Sequence, residues 1–376
     1  MIHLKCKVIV LGVGHSNQLV TRECQPAVYR AFFDHISPAV IGIERAPMEY
    51  NRSDFYEFTY EQQNIILPYA RENNIPVRPF DWTPSSDDQQ LAWNISDFDQ
   101  PPFVRGKETH KDFIYFSESS IQEQNFFFSE TDELKRQVYS WINEKKSGEQ
   151  DFPRRLFLYR TFMQAMRIKH IAKEYIGETV LIVVGHMHKN DIEEILKEVS
   201  FIELAQSSAY EYPSTKEIEK NLYVEDLYAI ANFNLLGVQS KHFVDFEWLT
   251  NVVNRLDGET SSPEVELYKI RLDLLTKAKE SKKAINEYQK IINDINPNST
   301  FHYNGLKDKW RLDSYYDPFG NLTILHRVYL ELAREYSKIN SFEKVEEIKE
   351  LLSKELSSFQ RLQLNYYWDN YLIKMY

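Results

Sequence analysis

Five short aliphatic runs alternate with stretches of helical spacing, and this alternation restricts the fold more than any other feature of the chain. The runs are Lys7–Leu11 (KVIVL), Ala39–Ile43 (AVIGI), Ile75–Phe80 (IPVRPF), Thr179–Val184 (TVLIVV) and Phe201–Leu204. Helical spacing occupies Pro26–Ile36, Phe58–Asn73, Arg154–Tyr175 and Ile192–Val199. Asp191 and Glu194, three residues apart, predict a capping box at the start of the last of these. Strands that alternate with amphipathic helices predict a mostly parallel sheet covered on both faces.

The rhythm breaks between about Ser85 and Gln150, where the chain turns polar and aromatic with Pro101, Pro102 and the run Phe126-Phe127-Phe128. A helical insertion or cap over the sheet is expected there, with the phenylalanines either lining an apolar pocket or packing as ordinary core. Beyond about Pro213 the strand signals fade. Val224–Leu236 and His242–Leu256 read as helices, and Pro263–Lys279 with Ser281–Ile295 and Leu322–Ile339 with Phe342–Leu356 read as helical hairpins. Pro263 suits a first helical turn, where its missing N–H costs nothing. The expected organisation is an α/β domain over 1–215, with the insertion at about 85–150, and an all-α C-terminal domain over 216–376. The DGETSSP stretch near 258 is the other candidate boundary. Paired helices of this kind offer a surface for a protein partner, but no repeat signature is present.

Length and charge narrow the function. A chain of 376 residues buries a core without disulfides or structural metal. A net charge of −11 disfavours a general nucleic-acid binder and adsorption to anionic membranes. No run approaches the roughly 18 apolar residues of a membrane span. Cys6 lies in an apolar strand run and Cys24 reads as a packing residue, so a reducing cytoplasm is expected. The chain starts almost at once on a strand pattern, without a leader-like apolar segment.

In an open parallel sheet, ligands bind beyond the carboxyl ends of the strands. Four predicted strand ends carry chemistry there. The first gives Gly12-Val13-Gly14-His15, the second Glu44-Arg45, the third Asp81 and the fourth Gly185-His186-Met187-His188. Glycines at a strand end permit close backbone approach. Imidazole and carboxylate together suit Mn, Co or Zn, and a metal with an open position would activate water. Without metal, the same His and Glu serve general acid–base catalysis. Either His188 or His186 is the second imidazole, the G-x-x-H spacing favouring His188. Asp81 is a further ligand or orients one, and Glu44 and Asp81 each have the alternative of capping a following helix.

The order G-x-x-H, strand-end Glu, then a distant second G-x-x-H resembles the TIKI/TraB superfamily, with its PrgY-, GumN-, ChaN- and erythromycin-esterase-like members. The matched residues are Gly12–His15, Glu44 and Gly185–His188, within a stretch of about 5 to 206. Arg160-Thr161-Phe162-Met163-Gln164-Ala165-Met166 is similar to an Arg-led helix that precedes the last strand in that group. Arg160 and Arg167 share a helical face with Met163 between them, which makes Arg160 either an oxyanion stabiliser or an ordinary ion-paired arginine. Two departures bear on substrate class: the extra His186, and Lys189-Asn190-Asp191 where a glycine-rich or proline-containing turn is usual.

The resemblance implies an EreA/ChaN-like sheet and activities that diverge: metal-dependent peptidase, ester hydrolase or haem binder. The sequence reading is therefore a hydrolase, metal-dependent by expectation, for a peptide or small ester. Its site is His15, Glu44, His188 and Arg160, with Asp81 as fourth ligand and Gly12, Gly185 and His186 as auxiliaries. A non-catalytic ligand-binding or signalling protein using the same cleft is the alternative. No G-x-S-x-G, Walker A, G-x-G-x-x-G, Cys-x-x-Cys or His-Glu-x-x-His motif occurs. Ser16 reads as a helix cap or wall of the site. His110, His170, His242, His302 and His326 read as structural or surface residues, and Tyr366-Tyr367-Trp368 as core or interface.

Overall fold

A computed structural model describes residues 4–15, 17–93, 125–237, 244–305 and 307–372. The chain divides into two compact units with the boundary between Leu222 and Tyr223. His110, His242, Ser16 and much of the expected insertion lie outside the described residues.

The first unit is α/β. Its order is β1 (Cys6–Val13), α1 (Pro26–Ile36), β2 (Val40–Ile43), α2 (Pro47–Asn51), a π-helical turn (Gln62–Ile66) running into α3 (Leu67–Glu72), β3 (Val77–Pro79), α4 (Ser86–Trp93), α5 (Asp132–Asn143), α6 (Phe152–Glu174), β4 (Thr179–Gly185), α7 (Lys189–Leu196), β5 (Ile202–Ala205) and α8 (Thr215–Lys220). All five strands are parallel, in the order β3-β2-β4-β1-β5. The expected parallel sheet is therefore present, with each predicted strand in it.

Burial explains the apolar strands. Val8, Val10, Val40, Val180, Ile182 and Val184 pack with Ala165, Ile168 and Ala172 of α6 and Ile192 and Leu196 of α7. The alternate residues Ile9, Leu11, Ile41, Ile43, Leu181 and Val183 are equally buried, so both sheet faces are covered. Phe126 is core as well, meeting Tyr29 and Phe32 edge-on.

Local chemistry sets several element ends. Pro26 and Pro153 stand in the first turns of α1 and α6. Thr131 caps α5 through the Leu134 N–H. The helix after β2 is less regular than its spacing predicts. Pro68 lacks an N–H and would crowd the carbonyl four residues back, and the chain widens into the π turn just before it. The expected capping box at Asp191 is not formed. The helix α7 begins earlier, at Lys189, which places Asp191 inside its first turn. The unit also extends past the expected limit of 215: His35 bonds Glu217, and Arg30 donates to the Asn221 carbonyl, which fastens α8 to α1.

The second unit is helical among its described residues: α9 (Val224–Leu236), α10 (Phe246–Glu259), α11 (Pro263–Leu275), α12 (Ser281–Asp294), α13 (Ile324–Lys338), α14 (Phe342–Lys354) and α15 (Ser358–Tyr367). The expected hairpins are α11 with α12 and α13 with α14. Their starts are capped by Ser262 and Thr323. Tyr367 and Trp368 are buried in this unit. Among the described residues no helix is long and apolar enough to cross a membrane.

Gly42 shows how tightly the sheet is packed. A Cβ there would lie 2.4 Å from Ile182 Cδ1 and 3.2 Å from the Phe80 ring. Gly42→Ala therefore forces a core side chain to move, at a cost of about 1–3 kcal/mol. The expected result is a lower urea midpoint with an unchanged m-value.

Candidate active site

Strand β4 lies between β2 and β1, so its carboxyl end meets theirs. Val13 is in register with Gly185, and Ile43 with Val183. Glu44 follows Ile43 directly, and His15 follows β1 after one turn. Three chain segments thus arrive at one edge of the sheet, as the strand-end reading expects.

Gly185 is the contact point. A Cβ on it would lie 3.1 Å from His15 Nε2, 3.2 Å from Glu44 Oε2 and 3.7 Å from His188 Cδ2. Its N–H donates to Glu44 Oε2. Only a residue without a side chain lets these groups approach the backbone so closely. Gly12 does the same one layer away, where a Cβ would meet the Ser129 side chain at 2.6 Å and His186 Cα at 3.1 Å.

Glu44, 4% exposed, is the hub. His15 Nε2 stands 3.7 Å from Oε2, and His188 Nε2 stands 3.5 Å from Oε1. Arg160 donates to Oε1 at 2.8 Å, and Gln164 at 3.3 Å. Asp81, 1% exposed, is joined to this group through α6. Arg160 Nε and a terminal nitrogen reach its two oxygens at 2.9 and 2.7 Å, and Gln164 adds a bond at 2.7 Å. Arg167 donates to the Asp81 backbone carbonyl.

Both Asp81 oxygens are bonded by Arg160, and one of them also by Gln164. Arg160 clamps two carboxylates, which is the ion-paired alternative of the sequence reading. Among the described residues no three His, Cys, Asp or Glu side chains form a group able to hold a metal ion. The guanidinium of Arg160 already supplies the positive charge that Glu44 and Asp81 require, so the donor set does not fit a divalent cation.

Sequence reasoning missed Glu61. It is 1% exposed, and its Oε1 bonds His15 Nδ1 at 2.9 Å. It lies immediately before the π turn, on a helix rather than a strand end. Gln62, the next residue, donates to the Glu44 carbonyl at 3.0 Å. Thr161 was missed too: its Oγ is 2.6 Å from His188 Nδ1. Gln164 was legible in principle, one helical turn beyond Arg160 on the same face.

Each histidine meets an aromatic ring. His15 meets Phe58 edge-on, His188 stacks on Phe157 with centroids 4.4 Å apart, and Phe128 stands edge-on to His186. His186 Nδ1 bonds the Val13 carbonyl at 3.2 Å. The three imidazoles differ electrostatically. Burial would lower the His15 pKa, but the charge and hydrogen bond of Glu61 and the charge of Glu44 outweigh it and Arg160, so it is raised above 6.5. Burial lowers His188 to about 3 and, with His15 nearby, His186 to about 4. The two cysteine thiols are buried and pushed up, Cys6 to about 11 and Cys24 to about 12, which leaves them unreactive.

No family model, no curated protein and no solved structure matches this chain.

The low values for His186 and His188 predict acid sensitivity. Unfolded, both take up protons near pH 6.5; folded, they stay neutral until about pH 4 and about pH 3. Their contribution is fully present above pH 6.5. It falls with decreasing pH through the window down to those folded values, by about 1.4 kcal/mol per pH unit per histidine. His15 acts oppositely, its contribution being lost as pH rises through its raised value. Urea midpoints at pH 7.5, 6 and 5 are expected to decline, and His188→Gln is expected to flatten the decline.

Proposed function

We propose that the chain is a hydrolase that attacks a carbonyl with water, His15 serving as general base and Glu61 orienting it. The observation that carries this reading is the arrangement around His15. Its Nδ1 is held by a buried carboxylate, while its Nε2 faces the strand-end edge beside Glu44, and the side chain is 24% exposed. A base needs both an orienting group behind it and access in front. His188 lacks the access, being 6% exposed and stacked on Phe157.

In the reaction, a water proton passes to His15 Nε2 as the water oxygen bonds the carbonyl carbon. The tetrahedral species then collapses, breaking the bond to the alcohol or amine. His15 returns its proton to that leaving group. Glu61 keeps the Nδ1–H end occupied, so Nε2 is the nitrogen that accepts. Glu44 places a fixed acceptor next to the same water.

The likeness to the TIKI/TraB superfamily, in its EreA/ChaN-like form, rests on Gly12–His15, Glu44 and Gly185–His188. The geometry favours the esterase-like branch over the metallopeptidase-like one, because Arg160 takes the place of metal charge at Glu44. Small esters are accordingly the first substrates to test, with peptides second.

The wild-type chain is expected to turn over members of an ester panel, and His15→Asn to reduce kcat/KM by about 10²–10⁴-fold. Because the base must be unprotonated, kcat/KM rises with pH through the raised His15 value, with a midpoint above 6.5. The charged groups that set that midpoint are Glu61 before α3, Glu44 after β2 and Arg160 on α6, and the neutral His186 and His188 stand nearby after β4. Glu61→Gln removes the largest favourable charge and moves the midpoint to lower pH. A pH profile unchanged by Glu61→Gln, or full activity in His15→Asn, would end the proposal.

Metal removal gives an independent check. Exhaustive chelation is expected to leave turnover intact, and elemental analysis to find no stoichiometric Mn, Co or Zn. Activity lost on chelation and restored by one of these ions would return the metal-dependent reading.

A further inference from the structure

His188 is buried, barely titratable in function and yet placed against Glu44, so its task is not that of a base. Its Nδ1 lies 2.6 Å from Thr161 Oγ and its Nε2 lies 3.5 Å from Glu44 Oε1. The two ends of the ring meet different partners.

At the Nδ1 end, the Thr161 hydroxyl has one proton and two candidate acceptors, His188 Nδ1 and the Phe157 carbonyl at 2.9 Å. That carbonyl lies one turn back within α6, where the Thr161 backbone N–H already serves it. The imidazole nitrogen is the nearer acceptor. The hydroxyl either donates to the carbonyl and accepts from Nδ1–H, or donates to Nδ1, so this end accommodates both tautomers. At the other end, Glu44 Oε1 accepts from Arg160 and Gln164. A ring N–H facing this oxygen is attracted, whereas a lone pair facing it is repelled. The Glu44 end thus selects the Nε2–H tautomer, and the Thr161 hydroxyl then turns its proton from the Phe157 carbonyl to Nδ1. Stacking on Phe157, with 14° between the ring planes, fixes the plane in which that N–H points.

We propose that His188 is a fixed hydrogen-bond donor, set in its Nε2–H form by Glu44 and held there by the Thr161 hydroxyl, and that it orients the attacking water in front of His15. This rests on the hydrolase reading given above. The 3.5 Å separation from Glu44 is slack for a direct hydrogen bond, so the N–H is available to a third group. A water between the three side chains accepts from His188 Nε2–H and donates to His15 Nε2 and Glu44. Its remaining lone pair then points at the carbonyl carbon. Covalent accounting is unaffected: one proton leaves water for His15 and returns to the leaving group, and His188 exchanges none. Thr161 acts through His188 and is a positioning residue.

The test uses the full chain labelled with ¹⁵N-histidine, with His188 assigned by the signals lost in His188→Gln. Long-range ¹H–¹⁵N correlation near pH 7.5 is expected to show the Nε2–H pattern for His188. Thr161→Val removes the hydroxyl at nearly constant volume. It is expected to mix the tautomers and lower kcat at least ~10-fold with KM little changed, while Thr161→Ser restores both. An Nδ1–H pattern in the wild type overturns the proposal, as does Thr161→Val with wild-type kcat and tautomer. If Thr161→Val does not fold, the wild-type spectrum and the serine variant decide. Failure of the hydrolase reading is separately visible: the wild type then turns over no ester or amide, whereas the spectrum reports the tautomer regardless of turnover.

Discussion

The site depends on one guanidinium. Glu44 and Asp81 stand at the ends of adjacent strands and are almost wholly removed from water. Two carboxylates this deeply buried and this close repel strongly in a medium of low effective dielectric. Arg160 bridges them, bonding both oxygens of Asp81 and Oε1 of Glu44. Removing a partner from such a group leaves buried charge unpaired, which costs about 3–5 kcal/mol. The clamp also has a geometric effect. With Oε1 held by α6 and Oε2 by the Gly185 N–H, the Glu44 carboxylate cannot rotate. The imidazoles of His15 and His188 therefore meet a fixed acceptor.

The helical unit uses the same device. Glu331 on α13 is enclosed by Arg271 of α11 and by Arg327 and Arg334 of its own helix. Arg327 continues to Asp317 and to the Leu236 carbonyl. These groups neutralise one another inside a helical core.

What was legible in the sequence follows from how local each signal is. The five strands were readable because burial on both faces demands unbroken aliphatic runs, and the strand-end rule then located His15, Glu44 and His188. The placement of β4 between β2 and β1 was not readable, since it is a choice of crossover and not of residues. Glu61 escaped because the rule inspects strand ends, whereas Glu61 stands on a helical turn just before the π turn. The helix α6 has apolar residues on most sides, Leu156, Ala165 and Ile168 inside and Tyr159 and Phe162 outside. Its periodicity consequently does not reveal which face meets the sheet. Arg160 was found, but its role required knowing that two carboxylates converge on it. The missed helix α15 did carry a local signal, the Ser357 and Gln360 capping box.

Three imidazoles share one sheet edge, and their surroundings divide the work among them. His15 has a carboxylate on each side, so its protonated form is stabilised despite burial. His186 and His188 lack a second carboxylate like Glu61, and burial outweighs the pull of Glu44 on them; one holds a backbone carbonyl of β1 and the other a threonine hydroxyl. Of the three, only His15 has a raised pKa, and the other two, lowered to about 4 and about 3, present hydrogen-bond patterns that do not change near neutral pH. In the proposed reaction, proton transfer has one entry point. A second titrating imidazole beside Glu44 would compete for the same proton and would turn the fixed acceptor into a variable one. The hydroxyl of Thr161 and the carbonyl of Val13 thus contribute by holding their histidines constant, while the buried carboxylate of Glu61 makes the remaining one responsive.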